Sequence, residues 1–265
     1  MTEEATPERR GAGNVVHLSV EAGIATITLD SPQNRNALSR QLMTELFAGL
    51  AGAAEDPAVR AVVLTHTGGT FCAGADLTEA AAGGMAEGTA ALLRLLRTIV
   101  ALPKPVVARI DGNVRAGGLG LVGACDIAVA SEASSFAFTE ARLGLAPAII
   151  SLTVLPRLDS RAAGRYFLTG EKFGGEVAAR VGLVTFAAAD VDAALADILT
   201  GLRAGSPQGL AESKKLVTAE VLGELDEHGE AMGELSARLF ASDEAREGMM
   251  SFLERRPPKW AAELN

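Results

Sequence analysis

Residues 116–126 read AGGLGLVGACD, and Gly118, Gly120 and Gly123 stand at the spacing of the G-x-G-x-x-G dinucleotide fingerprint. That fingerprint works where the glycines follow a strand directly and open a full helix, so that a pyrophosphate meets the helix N-terminus. The flanking sequence denies both conditions. DGNVRA, residues 111–116, separates the strand-like PVVARI from the paired glycines, and the helix they open has room only to about Cys125 before DIAVA begins. Glu140 lies at a suitable distance for a ribose contact, but the chain start, where a dinucleotide domain places its first αβ unit, holds a hairpin instead. A phosphate-binding P-loop is excluded too, because no Lys-Ser or Lys-Thr pair follows the glycines.

Working outward, VVHLSV and IATITL read as strands joined by the turn EAG. NALSRQLMTELFAGLAGAAED places Leu38, Leu42, Leu46 and Leu50 at helical spacing, with Ser39 as N-cap. RAVVLT is a buried-type strand, HTGGTFCAGADL a glycine-rich loop, and TAALLRLLRTIVAL a helix stopped by Pro103 and Pro105. PVVARI and DIAVA are further strands, so strand and helix alternate in the manner of an α/β fold with a largely parallel sheet. From about Ser160 the chain reads as helices. The sequence divides into a tail (1–14), an α/β core (15–200) and a helical C-terminal region (201–265).

Composition narrows the function. A net charge of −9 over 265 residues argues against nucleic acid as the main partner. The two cysteines, Cys72 and Cys125, and the scattered His17, His66 and His228 form no metal-ligand spacing and no nucleophilic triad. The polar N-terminal tail does not read as a signal peptide, and no apolar run is long enough to span a bilayer. The expectation is a cytoplasmic protein with neither a metal nor a membrane partner.

What remains for the glycines is their backbone. A helix that begins among small residues presents free N–H groups and the positive end of its dipole, a site for an oxygen that becomes anionic during a reaction. FCAGADL, residues 71–77, is a second glycine-rich loop after a strand. Two such loops, each offering one amide, would make a two-donor oxyanion hole without any side chain; taken alone, the glycines fit two ordinary tight turns better.

RNALS, FCAGADL, IDGNVRAGGLGL, CDIAVAS and FTEARLGL, with SPQGLAESKKLV and SDEAREGMMSFLERRPPKW near the C-terminus, occur in an order and spacing that resembles the enoyl-CoA hydratase/isomerase, or crotonase, superfamily. The resemblance implies a crotonase-like spiral of ββα turns with a helical C-terminal trimerisation region, assembled as a homotrimer or homohexamer. It also implies acyl-CoA thioester substrates and no cofactor, coenzyme A being part of the substrate. Carried onto this chain, it puts the oxyanion hole on the amides of Ala75 and Gly117, and CoA contacts on Arg35, Ala37, Ala73, Asp76 and Leu77. Lys259 falls where some members reach a neighbouring subunit's CoA.

Hydratases of this superfamily commonly carry two glutamates. The first position is Gly120 here; the second is Glu140, with Gly144 four residues on. The expectation is one carboxylate, with Gly120 at the substrate-facing position of the absent one. In this respect RAGGLGL…TEARLGLAPAIIS resembles a single-glutamate subgroup of methylglutaconyl-CoA-type hydratases. One glutamate suits hydration of an enoyl-CoA, in which it takes a proton from water and returns it to C2. It also suits isomerisation by proton shuttling between C2 and C4, and a non-catalytic acyl-CoA binder would keep the hole alone. Hydration is the preferred reading. Asp76 and Asp126 are expected to be structural, and residues 78–93 to line the acyl pocket.

Overall fold

The computed structural model describes residues 13–81 and 85–262; most of the predicted tail, residues 1–12, lies outside them. The strands are β1 (Val16–Glu21), β2 (Ile24–Leu29), β3 (Ala61–His66), β4 (Thr70–Cys72), β5 (Val106–Ile110), β6 (Asn113–Arg115), β7 (Ile127–Ser131), β8 (Ser135–Ala137), β9 (Phe173–Gly174) and β10 (Phe186–Ala188). The helices are α1 (Arg40–Glu55), α2 (Leu77–Ala81), α3 (Met85–Ala101), α4 (Gly117–Ala124), α5 (Ala148–Val154), α6 (Ser160–Thr169), α7 (Gly175–Arg180), α8 (Val191–Ala204), α9 (Pro207–Phe240), α10 (Asp243–Leu253) and α11 (Lys259–Ala262).

Two sheets result. The larger has the order β1-β2-β3-β5-β7-β10 and the smaller β4-β6-β8-β9. Each ββα turn of the chain adds one strand to each sheet: β3 and β4, then β5 and β6, then β7 and β8. All pairings are parallel except those of β1 with β2 and β8 with β9. This is the spiral that the resemblance implied. The β1–β2 hairpin closes over Ala22 and Gly23, both at positive φ as a two-residue primed turn requires.

Both faces of the larger sheet are covered, which is why its central strands read as unbroken apolar runs. On one face Val62, Leu64 and Ala108 join Leu42, Leu46 and Leu50 of α1 and Leu95, Leu96 and Ile99 of α3 in the main core. On the other, Ile24, Ala61, Val63, Val107 and Val129 pack against Val191 and Leu195 of α8. The domain boundary drawn at residue 200 therefore falls inside α8, a helix that belongs to the sheet; the C-terminal helical region begins with α9.

The helix at the centre of the sequence argument, α4, is buried along its whole length. Its glycines are points of close approach. A methyl at Gly118 would lie 2.7 Å from the Cys72 carbonyl oxygen, and one at Gly123 would lie 2.7 Å from that of Thr153. At its C-terminal end Asp126 accepts from Val106 N at 2.7 Å and pairs with buried Lys214 at 2.8 Å, tying α4 to β5 and α9. Asp126 is structural, as expected. Cys72 and Cys125 are free, buried thiols, both pushed up to about 12 by burial. Among the described residues no helix is long and apolar enough to cross a membrane.

Candidate active site

Three chain segments converge at the N-terminus of α4. The first is 31–38, where the buried side chain of Asn36 accepts from Ser31 N at 2.7 Å and donates to the carbonyl oxygens of Thr67 and Thr70 at 3.1 and 2.7 Å. Asn36 thereby fixes Arg35 and Ala37 against the second segment, 73–76. There Leu38 N donates to Gly74 O at 2.8 Å and Ala73 N to Arg35 O at 3.1 Å. The Asp76 carboxylate caps α2 by accepting from Thr78 N at 2.9 Å and receives Asn34 Nδ2 at 2.7 Å, so it is also structural.

The third segment is Arg115–Ala116–Gly117. Ala116 holds φ 47° and ψ −122°, a conformation costly for a residue with a Cβ. It packs on Gly74, whose φ is +89°: a methyl there would lie 2.7 Å from the Ala116 methyl and 3.1 Å from Gly117 N. The turn carrying Ala75 and the turn carrying Gly117 are thus in van der Waals contact. Among the described residues neither the Ala75 nor the Gly117 amide donates a hydrogen bond, and Gly117 opens α4, where helical N–H groups have no intrahelical acceptor.

Glu140 opens a 3-10 turn, Glu140–Leu143, that follows β8. It is buried, and its Oε2 has no hydrogen-bond partner among the described residues. Burial lifts its carboxyl to about 7, against which a bond to its own backbone acts only weakly. A carboxyl there exchanges a proton readily near neutral pH.

One large cavity, about 1600 Å³, joins these parts. It is lined by Glu140, Ala75 and Gly117, and by Arg35, Ala37, Ala73, Asp76 and Leu77, so, apart from Lys259, which was expected at a neighbouring subunit's CoA, every predicted site residue but one lines the same cavity. The segment expected to form the acyl pocket contributes Thr78, Ala80, Thr89 and Leu92; its residues 82–84 lie outside the described ones.

The exception is Gly120, which is not part of that lining. A Cβ there would lie 2.6 Å from Ile150 Cγ2 and 3.3 Å from Leu96 Cδ1, so Ile150, itself on the cavity wall, fills the space a side chain at 120 would enter. The expectation that Gly120 faces substrate is corrected accordingly: the missing carboxylate has been replaced by an apolar wall. Gly120→Glu alone should therefore destabilise the protein by about 1–3 kcal/mol or more through overpacking. Combining it with Ile150→Ala should recover much of that loss, which thermal unfolding of the two variants would show.

The C-terminal region completes the enclosure. Phe240 of α9 and Phe252 and Leu253 of α10 line the cavity, and Arg256, pairing with Glu247 at 2.6 Å, holds the following segment beside it. Glu247 is drawn down to about 2 by that guanidinium. Lys259 makes its own contact through its backbone, donating to Glu247 at 3.0 Å.

Helix α10 also seats the Glu140 turn. A methyl at Gly248 would lie 2.4 Å from Leu143 O, and one at Gly144, which ends the turn at φ +69°, would lie 2.6 Å from the Glu244 carbonyl carbon. Gly248→Ala should thus push Leu143 away, tilt Glu140 and lower kcat by roughly tenfold to a hundredfold. Steady-state kinetics beside a melting curve would check this. Sequence reasoning missed Gly248, Asn36 and Ile150, because nothing in their local pattern distinguishes them from ordinary packing residues.

The sequence profile described as enoyl-CoA hydratase/isomerase matches residues 19–263. An enoyl-CoA hydratase from Mycobacterium avium, solved by crystallography, is 56% identical with a TM-score of 0.88, over 94% of this chain and 100% of that one. An enoyl-CoA hydratase from Shewanella pealeana is 31% identical with a TM-score of 0.74, over 93% and 96% of the respective chains. An enoyl-CoA hydratase of Alternaria alternata is 32% identical over 248 residues, 92% of this chain and 83% of that protein.

Proposed function

Since this chain belongs to the enoyl-CoA hydratase/isomerase family, we propose that it is an enoyl-CoA hydratase that works with one carboxylate and a backbone oxyanion hole. The observation that carries the reading is the meeting, in one cavity, of two undonated amides and a buried carboxylate with an unpaired oxygen. In this reading the thioester oxygen accepts hydrogen bonds from Ala75 N and Gly117 N. The Glu140 carboxylate takes a proton from water as the water oxygen bonds to C3, and the C2–C3 π electrons move to form an enolate held by the two amides. Glu140 then returns its proton to C2 as the carbonyl re-forms. One carboxylate serves both transfers because its proton affinity lies near the working pH, and each preorganised amide contributes roughly 3–4 kcal/mol to lowering the barrier.

Arg35, Ala37, Ala73, Asp76 and Leu77 are the residues that the CoA moiety would follow, an assignment supported by their common place in the cavity lining. The reaction so written consumes only water and the thioester and calls for no further cofactor. We propose that the chain assembles as a homotrimer or homohexamer; the exposed Leu216 and Val217 on α9 would be available to a contact between copies.

Proton NMR of linear and β-methyl-branched enoyl-CoAs incubated with the protein in deuterated water tests the proposal. A β-hydroxyacyl product carrying deuterium at C2 is expected. A shifted double bond without hydration would assign the isomerase reading, which a site with a single carboxylate also accommodates.

A further inference from the structure

Arg115 is a cation in an unusual place. It ends β6, immediately before the strained Ala116 and two residues before the Gly117 amide, and it is half-buried on the wall of the main cavity. Among the described residues no carboxylate pairs with it. Its two terminal nitrogens instead donate to neutral acceptors: Nη1 to Val114 O at 2.8 Å and Ser135 O at 2.5 Å, and Nη2 to Asn113 Oδ1 at 3.1 Å and Ser135 Oγ at 3.0 Å. Holding a half-buried positive charge on neutral groups alone is expensive, and a merely structural clasp between two short strands does not need it.

The geometry downstream gives the arrangement a purpose. Strands β6 and β8 have three residues each, with Arg115 paired to Ala137 in the ladder. Beyond them the chain must turn through Ala116, whose N–H reaches Ala137 O at only 3.3 Å. The Arg115 carbonyl oxygen and the Ala116 methyl close off the space beside Gly74, at 3.2 and 2.7 Å from where a Cβ would stand. The direction of the Gly117 N–H therefore follows how Arg115 and Ala116 are held on β8, which happens twice: Ala116 N reaches Ala137 O, and the Arg115 side chain folds back along β6 to Ser135, the residue opposite Asn113.

We propose that Arg115 is a positioning residue for the oxyanion hole: by stapling β6 to Ser135 it holds Ala116 in its strained conformation and aims the Gly117 amide at the thioester oxygen. Its unneutralised charge adds a positive potential at the same end of the cavity, favouring the enolate over the ground state. The inference rests on the hydratase reading.

The test uses para-dimethylaminocinnamoyl-CoA, whose absorption moves to the red when its thioester carbonyl is polarised, together with kcat and KM on the preferred enoyl-CoA. With the wild type a red shift on binding is expected; its absence would remove the oxyanion-hole reading itself, and this inference with it. In Arg115→Met the red shift should largely vanish and kcat fall by about tenfold to a hundredfold. KM and probe affinity should stay within about threefold, since the remaining contacts are intact. Arg115→Lys should recover part of both signals, because an ammonium restores the charge and one bond to Ser135 but not the fork. A folded Arg115→Met with the full red shift, or one that loses kcat without losing the shift, overturns the proposal. Should that variant fail to fold, Ser135→Ala decides: it removes one of the four bonds and should lose a smaller share of shift and kcat together, whereas unchanged values overturn the proposal.

Discussion

Glu140→Gln is expected to cut turnover to a small residue and, above neutral pH, to make the protein more stable. The kinetic part follows from the site having one acid–base group: without it neither proton transfer has a partner, and kcat should fall by roughly 10²- to 10⁴-fold. Acyl-CoA affinity should stay within a few-fold, because the amides and the residues along the CoA path remain. The stability part follows from linkage. The Glu140 carboxyl stands at about 7 in the folded protein against an ordinary 4.5. Below pH 4.5 the group is protonated in both folded and unfolded chains and costs nothing. Between 4.5 and 7 the unfolded chain ionises while the folded one holds its proton, so stability declines as pH rises, and above 7 the full penalty of a buried, unpaired charge is present. That penalty is on the order of 3 kcal/mol, and a neutral glutamine does not incur it. Melting curves of both proteins at pH 4 and pH 8 should coincide at the lower pH and separate by several degrees at the higher, with the variant the more stable. Equal melting temperatures at pH 8 would mean that Glu140 is ionised at little cost in the folded protein.

The second large effect is expected at Gly74→Ala. With φ at +89° and a new methyl 2.7 Å from that of Ala116, alanine can be accommodated only if the turn carrying Ala75 moves away from the turn carrying Gly117. The left-handed backbone adds about 1–2 kcal/mol of strain to the folded state. A displacement of this kind at one donor should cost roughly 10²-fold in kcat, with the acid limb of the pH profile unmoved because Glu140 is untouched. The measurement is kcat and its pH dependence beside a melting curve. A fall in Tm with kcat intact would show that the apposition of the two turns serves packing alone.

The long elements of this fold were legible from periodicity: α1 with its Ser39 cap, α3 ending before Pro103, and the strands β1, β2, β3, β5 and β7. The short strands were not. β4, β6 and β8 have three residues each, too few to show an alternation, and HTGGTFCAGADL and DGNVRA read as loops for that reason. β10, also of three residues, closes the larger sheet from within a stretch otherwise read as helical. Their place in a second sheet was implied only by the resemblance. At the site, Glu140 and the amides of Ala75 and Gly117 were legible only through the resemblance, because a lone carboxylate and two glycine-rich turns fit ordinary structural roles equally well. Ile150, Gly248 and Arg115 were not legible, since what matters about them is which neighbour they touch. The absence of the usual glutamate at 120 was plain in the sequence, but that the vacated space is filled by Ile150 required coordinates.

The central claim, that one buried carboxylate performs both proton transfers, is tested most directly by the pH dependence of kcat/KM on an enoyl-CoA. With Glu140 as the base that activates water, kcat/KM should rise with pH along a limb of apparent pKa about 7, as burial of that carboxyl requires, and the limb should be missing from the residual activity of Glu140→Gln. A limb near 4.5, or one at 7 that survives in Glu140→Gln, would contradict the account and place the proton on another group.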